Sequence, residues 1–437
     1  MNIKHIYSTQ NDKWIENKVV ECVHGGAAHL TLEDSRHQTL TGLGGCFNEL
    51  GKLGLDTLSK KESSKILDKL FGKDSEMKFE FCRLPIGASD YAEQWYSHNE
   101  TDGDYEMTHF NIDRDKKILI PYIKEALKRN PDLKLFASPW SPPSWMKFPK
   151  AYNYGTLVWT EKNLKAYALY LAKFIEAYAA DGITVQQLHI QNEVFADQKF
   201  PSCLWTAEQL AEFTGKYLGP VFEERNLTCE IWLGTINGDE NRLECDFSEM
   251  AFKVLTDDIA QKYIKGVSYQ WFGKNSVERN VECFPDIPVI QSENECGDGK
   301  NTWEYAKYVF KLMRHYLNAG AEAYTYWNMI LNSNNGASTW GWEQNAMISV
   351  ENGTVTYNHE YYVFKHFSGF IGSGSIRCGL SGMFSGLSSA FETPDGKTVL
   401  IILNPLDRKF DLKLNAHGKE FIVSLEADSV NTVIADK

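Results

Sequence analysis

From residue 41 onward the chain alternates apolar runs of strand length with longer stretches whose apolar residues recur every three or four positions. Strands covered on both faces read as unbroken apolar runs, and helices packed on one side read as stripes. The rhythm therefore predicts repeated βα units and a parallel sheet. Eight such runs are present, at residues 41–47, 79–85, 133–138, 185–191, 229–235, 266–271, 288–292 and 321–327. Eight parallel strands close into a (β/α)8 barrel, a TIM barrel. The intervening helices carry their own boundaries. Ser59-x-x-Glu62 and Thr206-x-x-Gln209 have the form of capping boxes, in which two side chains satisfy free N–H groups of the first turn. Between Thr160 and Asp181 the residues Leu164, Tyr167, Leu171, Phe174 and Tyr178 form one apolar stripe, which Asp181-Gly182 ends.

The two ends of the chain read differently. Residues 1–40 are short β-prone runs broken by polar residues, and after about residue 370 Gly/Ser-rich turns separate short β runs such as 398–403 and 421–423. Neither segment can cover its own strand edges, so the two are expected to pair as one discontinuous β-sandwich. The expected division is residues 1–40 as the first strands of the sandwich, 41–370 as the barrel and 371–437 as the rest of the sandwich. Long aromatic segments at 87–111, 140–159, 194–205 and 331–356 all follow strands. They would wall one rim of the barrel and leave a pocket or short groove.

Two of the runs stop on a glutamate: Leu188-His189-Ile190-Gln191-Asn192-Glu193 and Ile287-Pro288-Val289-Ile290-Gln291-Ser292-Glu293. A barrel delivers both to the same rim. Hydrolysis of a glycosidic bond with retention needs two carboxyls about 5 Å apart, one a protonated acid and the other an ionised nucleophile. On this reading Glu193 is the acid/base, Asn192 beside it binds the sugar's 2-hydroxyl, and Glu293 is the nucleophile. Spacing alone is equally compatible with two solvated loop carboxylates. Arg83, ending a buried run, needs an anionic partner, which Glu293 or a carboxylate of the barrel floor would supply. By alternation His189 shares a face with Glu193 and reads as an interior, hydrogen-bonded histidine.

Charge and cysteines narrow the class. A formal charge of −13 without a Lys/Arg-rich block disfavours nucleic acid and favours a neutral ligand. The chain lacks a run of about 18 apolar residues, so membrane insertion is not expected. Its opening residues lack the apolar core of a signal peptide, which makes the expected location cytoplasmic. The nine cysteines are odd in number and scattered, which implies reduced structural thiols and no metal site. Cys296 lies near Glu293 but has no histidine beside it in sequence to activate it. A barrel lyase or aldolase would need a strand-end lysine, and Lys274 lies in the loop past Gly273.

Six segments in order carry a resemblance: Gly42-Leu43-Gly44-Gly45, Arg83-Leu84-Pro85, Ser138-Pro139-Trp140-Ser141-Pro142-Pro143-Ser144-Trp145-Met146-Lys147, Gln191-Asn192-Glu193, Ser292-Glu293 and Trp327-Asn328-Met329-Ile330-Leu331-Asn332. Together they resemble the strand-end signatures of glycoside hydrolase family 30, which includes the glucosylceramidases, over about residues 42–379. The resemblance implies a barrel fused to a β-sandwich and retaining chemistry, with Glu193 as acid/base after strand four and Glu293 as nucleophile after strand seven. It also places Asp90, Trp140, Asn192, Trp327 and Asn345 around the sugar. Asp90 would accept sugar hydroxyls, or else cap a helix. Trp140 and Trp327 would offer flat faces to a pyranose, or else pack in the core. Asn345, which follows Trp340 and Trp342, is a sugar contact or a loop amide.

Two departures from the family pattern stand out. Ser292-Glu293-Asn294-Glu295 carries a second carboxylate two residues on, so Glu295 is an alternative nucleophile. Phe272 stands where the glucosylceramidases carry a tyrosine against the nucleophile; either Tyr269 or Trp271 replaces that contact, or the subsite is built differently. The expected protein is a retaining β-glycosidase that needs no metal or organic cofactor and cuts small glycosides or oligosaccharides from one end. β-Glucoside is the first choice, ahead of β-xyloside, β-fucoside or β-galactoside. An endo-acting β-glycanase and a non-catalytic carbohydrate-binding barrel are the rivals.

Overall fold

The structure, a computed structural model, describes residues 3–21, 25–238, 245–332 and 341–436. Eight parallel strands form a closed barrel: β1 (Gly42–Cys46), β2 (Phe81–Ile86), β3 (Lys134–Pro139), β4 (Gln187–His189), β5 (Glu230–Ile236), β6 (Ile264–Gln270), β7 (Val289–Glu293) and β8 (Ala323–Asn328). Each pairs with the next, and β8 returns to β1 with Ala323 opposite Gly42 and Thr325 opposite Gly44. The eight apolar runs are these eight strands. Strand β4 is shorter than its run, ending at His189 and not at Gln191.

Inside the barrel, Phe81, Phe136, Trp232, Ile290 and Ala323, from β2, β3, β5, β7 and β8, make an apolar layer. Phe81 and Phe136 stack at 5.0 Å, and His189 is sandwiched between Phe136 at 4.6 Å and Trp232 at 5.5 Å. This layer plugs the barrel and supports whatever sits above it at the rim. Outside, the helix Glu161–Ala180 buries Leu164, Tyr167, Leu171, Phe174 and Tyr178, with Asp181 at its C-cap. Both capping boxes form, at the N-termini of Lys60–Phe71 and Ala207–Phe213.

The two chain ends meet in one ten-stranded sheet that closes over its own core. Ile3–Ser8 runs antiparallel to Ser429–Asp436, and Leu30–Thr39 is held between Ile376–Ser381 and Phe410–Ala416. Leu30 packs with Leu400, Ile402, Leu412, Leu414, Phe421 and Val433. The sandwich is fastened to the barrel by His366, whose ring nitrogens lie 2.8 Å from Thr432 Oγ1 and 3.0 Å from Ser8 Oγ. No helix among the described residues is long and apolar enough to cross a membrane.

Closure of the barrel depends on one close approach. A Cβ on Gly44 would lie 2.0 Å from the Phe81 carbonyl oxygen and 2.9 Å from Cys82 Sγ. The obstacle is the backbone of β2, which cannot step aside without opening the sheet. Gly44→Ala is expected to cost about 3 kcal/mol, measured as a lower urea midpoint; an unchanged midpoint would contradict this packing.

Candidate active site

Arg83 stands two residues rimward of Phe81 on the inner face of β2, and it is fully buried. A buried guanidinium must place all five N–H donors on protein acceptors. Nε and Nη2 donate to Ser138 Oγ at 3.0 and 2.7 Å, and Nη2 also donates to Asn192 Oδ1 at 2.6 Å. Nη1 donates to the Ser292 carbonyl at 3.4 Å and forms an ion pair with Glu293 Oε2. The Trp140 ring covers the cation at 4.4 Å, and Trp327 lies at 5.9 Å. One side chain thus ties β2, β3, β7 and the segment after β4 together.

That segment leaves the strand at once. Gln191 N–H donates to Gly234 O at 2.9 Å and Asn192 N–H to Pro139 O at 2.7 Å, and Glu193 follows with φ +48°. The left-handed region is unfavourable for a residue with a Cβ, and it is found where surrounding contacts over-determine the backbone. Here the Glu193 N–H is held by Thr235 Oγ1 at 3.2 Å. The expectation that His189 and Glu193 share a face by alternation is therefore corrected, because the turn intervenes. His189 lies below in the apolar layer, with Nδ1 2.8 Å from Ser268 Oγ.

Asn192 Oδ1 accepts from Arg83 Nη2, from Gln270 Nε2 at 2.9 Å and from Thr235 Oγ1 at 3.3 Å. Arginine can only donate, so this contact fixes which end of the amide is oxygen. Asn192 Nδ2 is turned away as a donor.

The carboxyls differ in what surrounds them. Burial pushes Glu193 well above the ordinary carboxylate range, and the charges of Glu293 and Asp90 push it further. No side chain among the described residues bonds its carboxyl. Burial also raises Glu293, but Arg83 pulls it back by charge and by hydrogen bonding. Of the two, Glu293 ionises first and Glu193 keeps its proton. Asp90, 6 % exposed, is pushed up to about 8 by burial and then by Glu293, against a hydrogen bond from Gln344.

The other expected residues divide. Trp140 and Trp327 are 1 % and 2 % exposed, with rings 5.6 Å apart, and they floor the site instead of presenting open faces. Asn345 is a loop clamp: Nδ2 donates to Glu360 Oε1 at 2.7 Å and Oδ1 accepts from Asn301 N–H at 3.3 Å. Its neighbour Gln344 is the amide that reaches the site, accepting from Trp327 Nε1 and Asn328 Nδ2 at 2.8 Å each and meeting Asp90. Trp340 lies outside the described residues, with the rest of 333–340.

Tyr269 is a correction. Its hydroxyl donates outward to Asn280 Oδ1 at 3.0 Å, on the helix Ser276–Cys283, so it does not touch Glu293. Trp271 lies past the strand end against Phe272 at 5.4 Å. The contact comes from Gln270, whose Nε2 is 2.8 Å from Glu293 Oε2. Sequence reasoning missed it, although the inner-face alternation of Ser268 and Gln270 was available as a signal. Glu295 is not the arginine's partner; its backbone carbonyl accepts from Asn294 Nδ2 at 2.7 Å and from the Tyr305 hydroxyl.

Two partly buried glutamates, Glu193 in the turn after the fourth strand and Glu293 at the end of the seventh, thus stand at one rim of the barrel. The glycosyl hydrolase family 30 TIM-barrel domain matches residues 40–371, and that family's β-sandwich domain matches residues 374–433. The chain belongs to glycosyl hydrolase family 30. This family 30 glycoside hydrolase is 30 % identical to putative glucosylceramidase 1 of Caenorhabditis elegans over 404 residues, which cover 87 % of this chain and 76 % of that protein. It is 24 % identical to an endo-1,6-β-D-glucanase, BGN16.3, of Trichoderma harzianum, over 92 % of this chain and 86 % of the relative. The fold matches the crystal structure of SrfJ from Salmonella typhimurium with a TM-score of 0.91 at 24 % identity, each chain covered completely.

In this family 30 chain the Arg83–Glu293 pair bears on stability. Arg83→Leu should leave a largely buried carboxylate without its cation and cost about 3 kcal/mol in urea unfolding. Adding Glu293→Leu to it should recover part of that loss. Full stability of the single variant would show that the pair is not buried as described.

Proposed function

We propose that this hydrolase cleaves β-glycosides with retention, Glu293 acting as nucleophile and Glu193 as acid/base. The observation that carries the reading is the asymmetry of the two carboxyls: that of Glu293 is held by a buried arginine, whereas that of Glu193 has no bonded side chain among the described residues. Glu293 attacks the anomeric carbon while the Glu193 proton passes to the departing glycosidic oxygen, which breaks the C–O bond and leaves a glycosyl-enzyme ester. A water then gives its proton to Glu193 and attacks the same carbon, releasing the sugar and regenerating both carboxyls. Asn192 Nδ2 donates to the 2-hydroxyl, Asp90 receives sugar hydroxyls, and the two tryptophans bound the sugar from below.

The rim supports release of single sugars from a chain end. Segments 140–159 and 194–205 are zipped together beside Glu193: Ser202 N–H donates to Tyr152 O at 3.0 Å and Leu204 N–H to Gly155 O at 2.9 Å. Lys147 Nζ bridges the carbonyls of Tyr152 and Ser202 at 2.7 and 2.5 Å. A β-glucoside is the first substrate class, in line with the names of the C. elegans and T. harzianum relatives. Glucosylceramide itself is disfavoured by Phe272 and by the glutamine that serves the nucleophile. Endo cleavage of a β-1,6-glucan is the second reading, favoured by the T. harzianum relative; oligomeric early products from a soluble β-1,6-glucan would select it over release of glucose alone.

A panel of nitrophenyl glycosides tests the roles. Glu293→Gln should lose at least about a thousandfold in kcat on every substrate. Glu193→Ala should lose about 10²–10⁴-fold on poor leaving groups and spare dinitrophenyl glycosides in the first step. Azide should then yield the β-glycosyl azide from Glu193→Ala and the α-azide from a nucleophile-truncated Glu293→Ala. Near-normal turnover by Glu293→Gln would sink the assignment. The raised Glu193 supplies the alkaline limb of kcat/KM, because activity needs its proton and is lost as pH rises through its pKa. Glu193→Gln should remove that limb, as read from the kcat/KM profile on a mononitrophenyl glycoside, whose poorer leaving group needs the proton.

A further inference from the structure

We infer that Gln270 is the positioning residue that couples the nucleophile to the turn bearing the acid/base and reserves Glu293 Oε1 for attack. Its Nε2 lies within hydrogen-bond distance of three acceptors: Glu293 Oε2 at 2.8 Å, Asn192 Oδ1 at 2.9 Å and Thr235 Oγ1 at 3.0 Å. Thr235 Oγ1 in turn holds the N–H of Glu193 in its left-handed conformation. One path from the Glu293 carboxylate to the Glu193 backbone therefore runs through this fully buried amide, beside the path through Arg83 and Asn192. Arg83 reaches the same Oε2 of Glu293, so both donors converge on one oxygen of the carboxylate. Two donors on Oε2 fix the carboxylate plane, and no side chain among the described residues bonds Oε1, which leaves it open as an attacking oxygen requires.

The type of side chain matters as much as its place. Gln270 donates without a charge and without titrating, so its grip on Glu293 does not change with pH. The titratable and charged groups that face Glu293 are Arg83 from β2, Asp90 from the segment after β2, Cys46 from β1, Glu193 after β4 and Cys296 past β7. Burial holds both thiols above their ordinary range, so they stay neutral. The acid limb of kcat/KM accordingly reports the carboxyls, Glu293 foremost.

The inference rests on Glu293 as nucleophile. Gln270→Leu, which keeps bulk and removes the donor, should lower kcat/KM on a dinitrophenyl glycoside by about ten- to a hundredfold. It should also move the acid limb up by about one pH unit, since the charged form of Glu293 loses a hydrogen bond. Gln270→Glu has the native shape with an acceptor in place of the donor, and its acid limb should move further up still. Tyr269→Phe, on the outer face of the same strand, should leave the acid limb where it is. A Gln270→Glu enzyme that folds and keeps the parental limb and rate, or limbs in Gln270→Leu and Tyr269→Phe that coincide, would overturn the inference. If Glu293→Gln is inactive while the Gln270 variants keep the parental limb, only this inference fails. If Glu293→Gln is active, the reading beneath it fails.

Discussion

A guanidinium sealed from water has five N–H donors that only protein can satisfy, and the rim of this barrel is arranged around that demand. Arg83 spends them on Ser138, on Asn192, on the Ser292 carbonyl and on Glu293. Those acceptors come from β3, from the turn after β4 and from β7. If the arginine is to be satisfied, the two glutamate-bearing segments must close on the same point. The apolar layer of Phe81, Phe136, Trp232, Ile290 and Ala323 lies beneath and keeps water from competing for the donors. Sequence, barrel closure and the meeting of the two motifs are thus linked through one side chain.

Such a rim is not built for stability. Three carboxyls are crowded into a partly buried space, and removal from water raises all three above their ordinary range. Glu193 is held in a backbone conformation that its side chain disfavours. Arg83 and the Gln270 amide both bond Glu293, whereas Glu193 feels the cation only at a distance and Asp90 has the Gln344 amide besides. The remainder is unrelieved in the free enzyme, and it keeps a proton on Glu193 at the place where a leaving oxygen would need it. The surrounding helices, with their capping boxes and long buried stripe, supply the stability that the rim lacks.

Much of this was legible in the chain. Strands covered on both faces appear as apolar runs whatever follows them, so all eight could be counted, and strand-end glutamates mark the rim because the fold sends every strand's end there. Arg83 could be paired with Glu293 because a buried arginine demands an anion. What stayed hidden depended on details that side-chain spacing does not encode. The turn after His189 is made by backbone bonds to Gly234 and Pro139, so strand four was read two residues too long. On β6 the polar residues Ser268 and Gln270 face inward and the apolar Val267 and Tyr269 face the helices. An aromatic residue stands out by type, whereas only the alternation along the strand shows that Tyr269 faces outward. In the loop carrying Gln344 and Asn345 no periodicity exists, and the amide that reaches Asp90 is one position away from the one expected.

The central claim is that the carboxylate held by Arg83 is the one that attacks the sugar. It is tested most directly by trapping the intermediate. The enzyme would be incubated with the 2-deoxy-2-fluoro analogue, carrying a dinitrophenyl leaving group, of whichever glycoside it turns over fastest. It would then be digested, and the labelled peptide sequenced by mass spectrometry. One fluorosugar per chain, esterified to Glu293, is the predicted result. A label on Glu295 or on any other residue, or complete substrate turnover with inversion at the anomeric carbon, would contradict it.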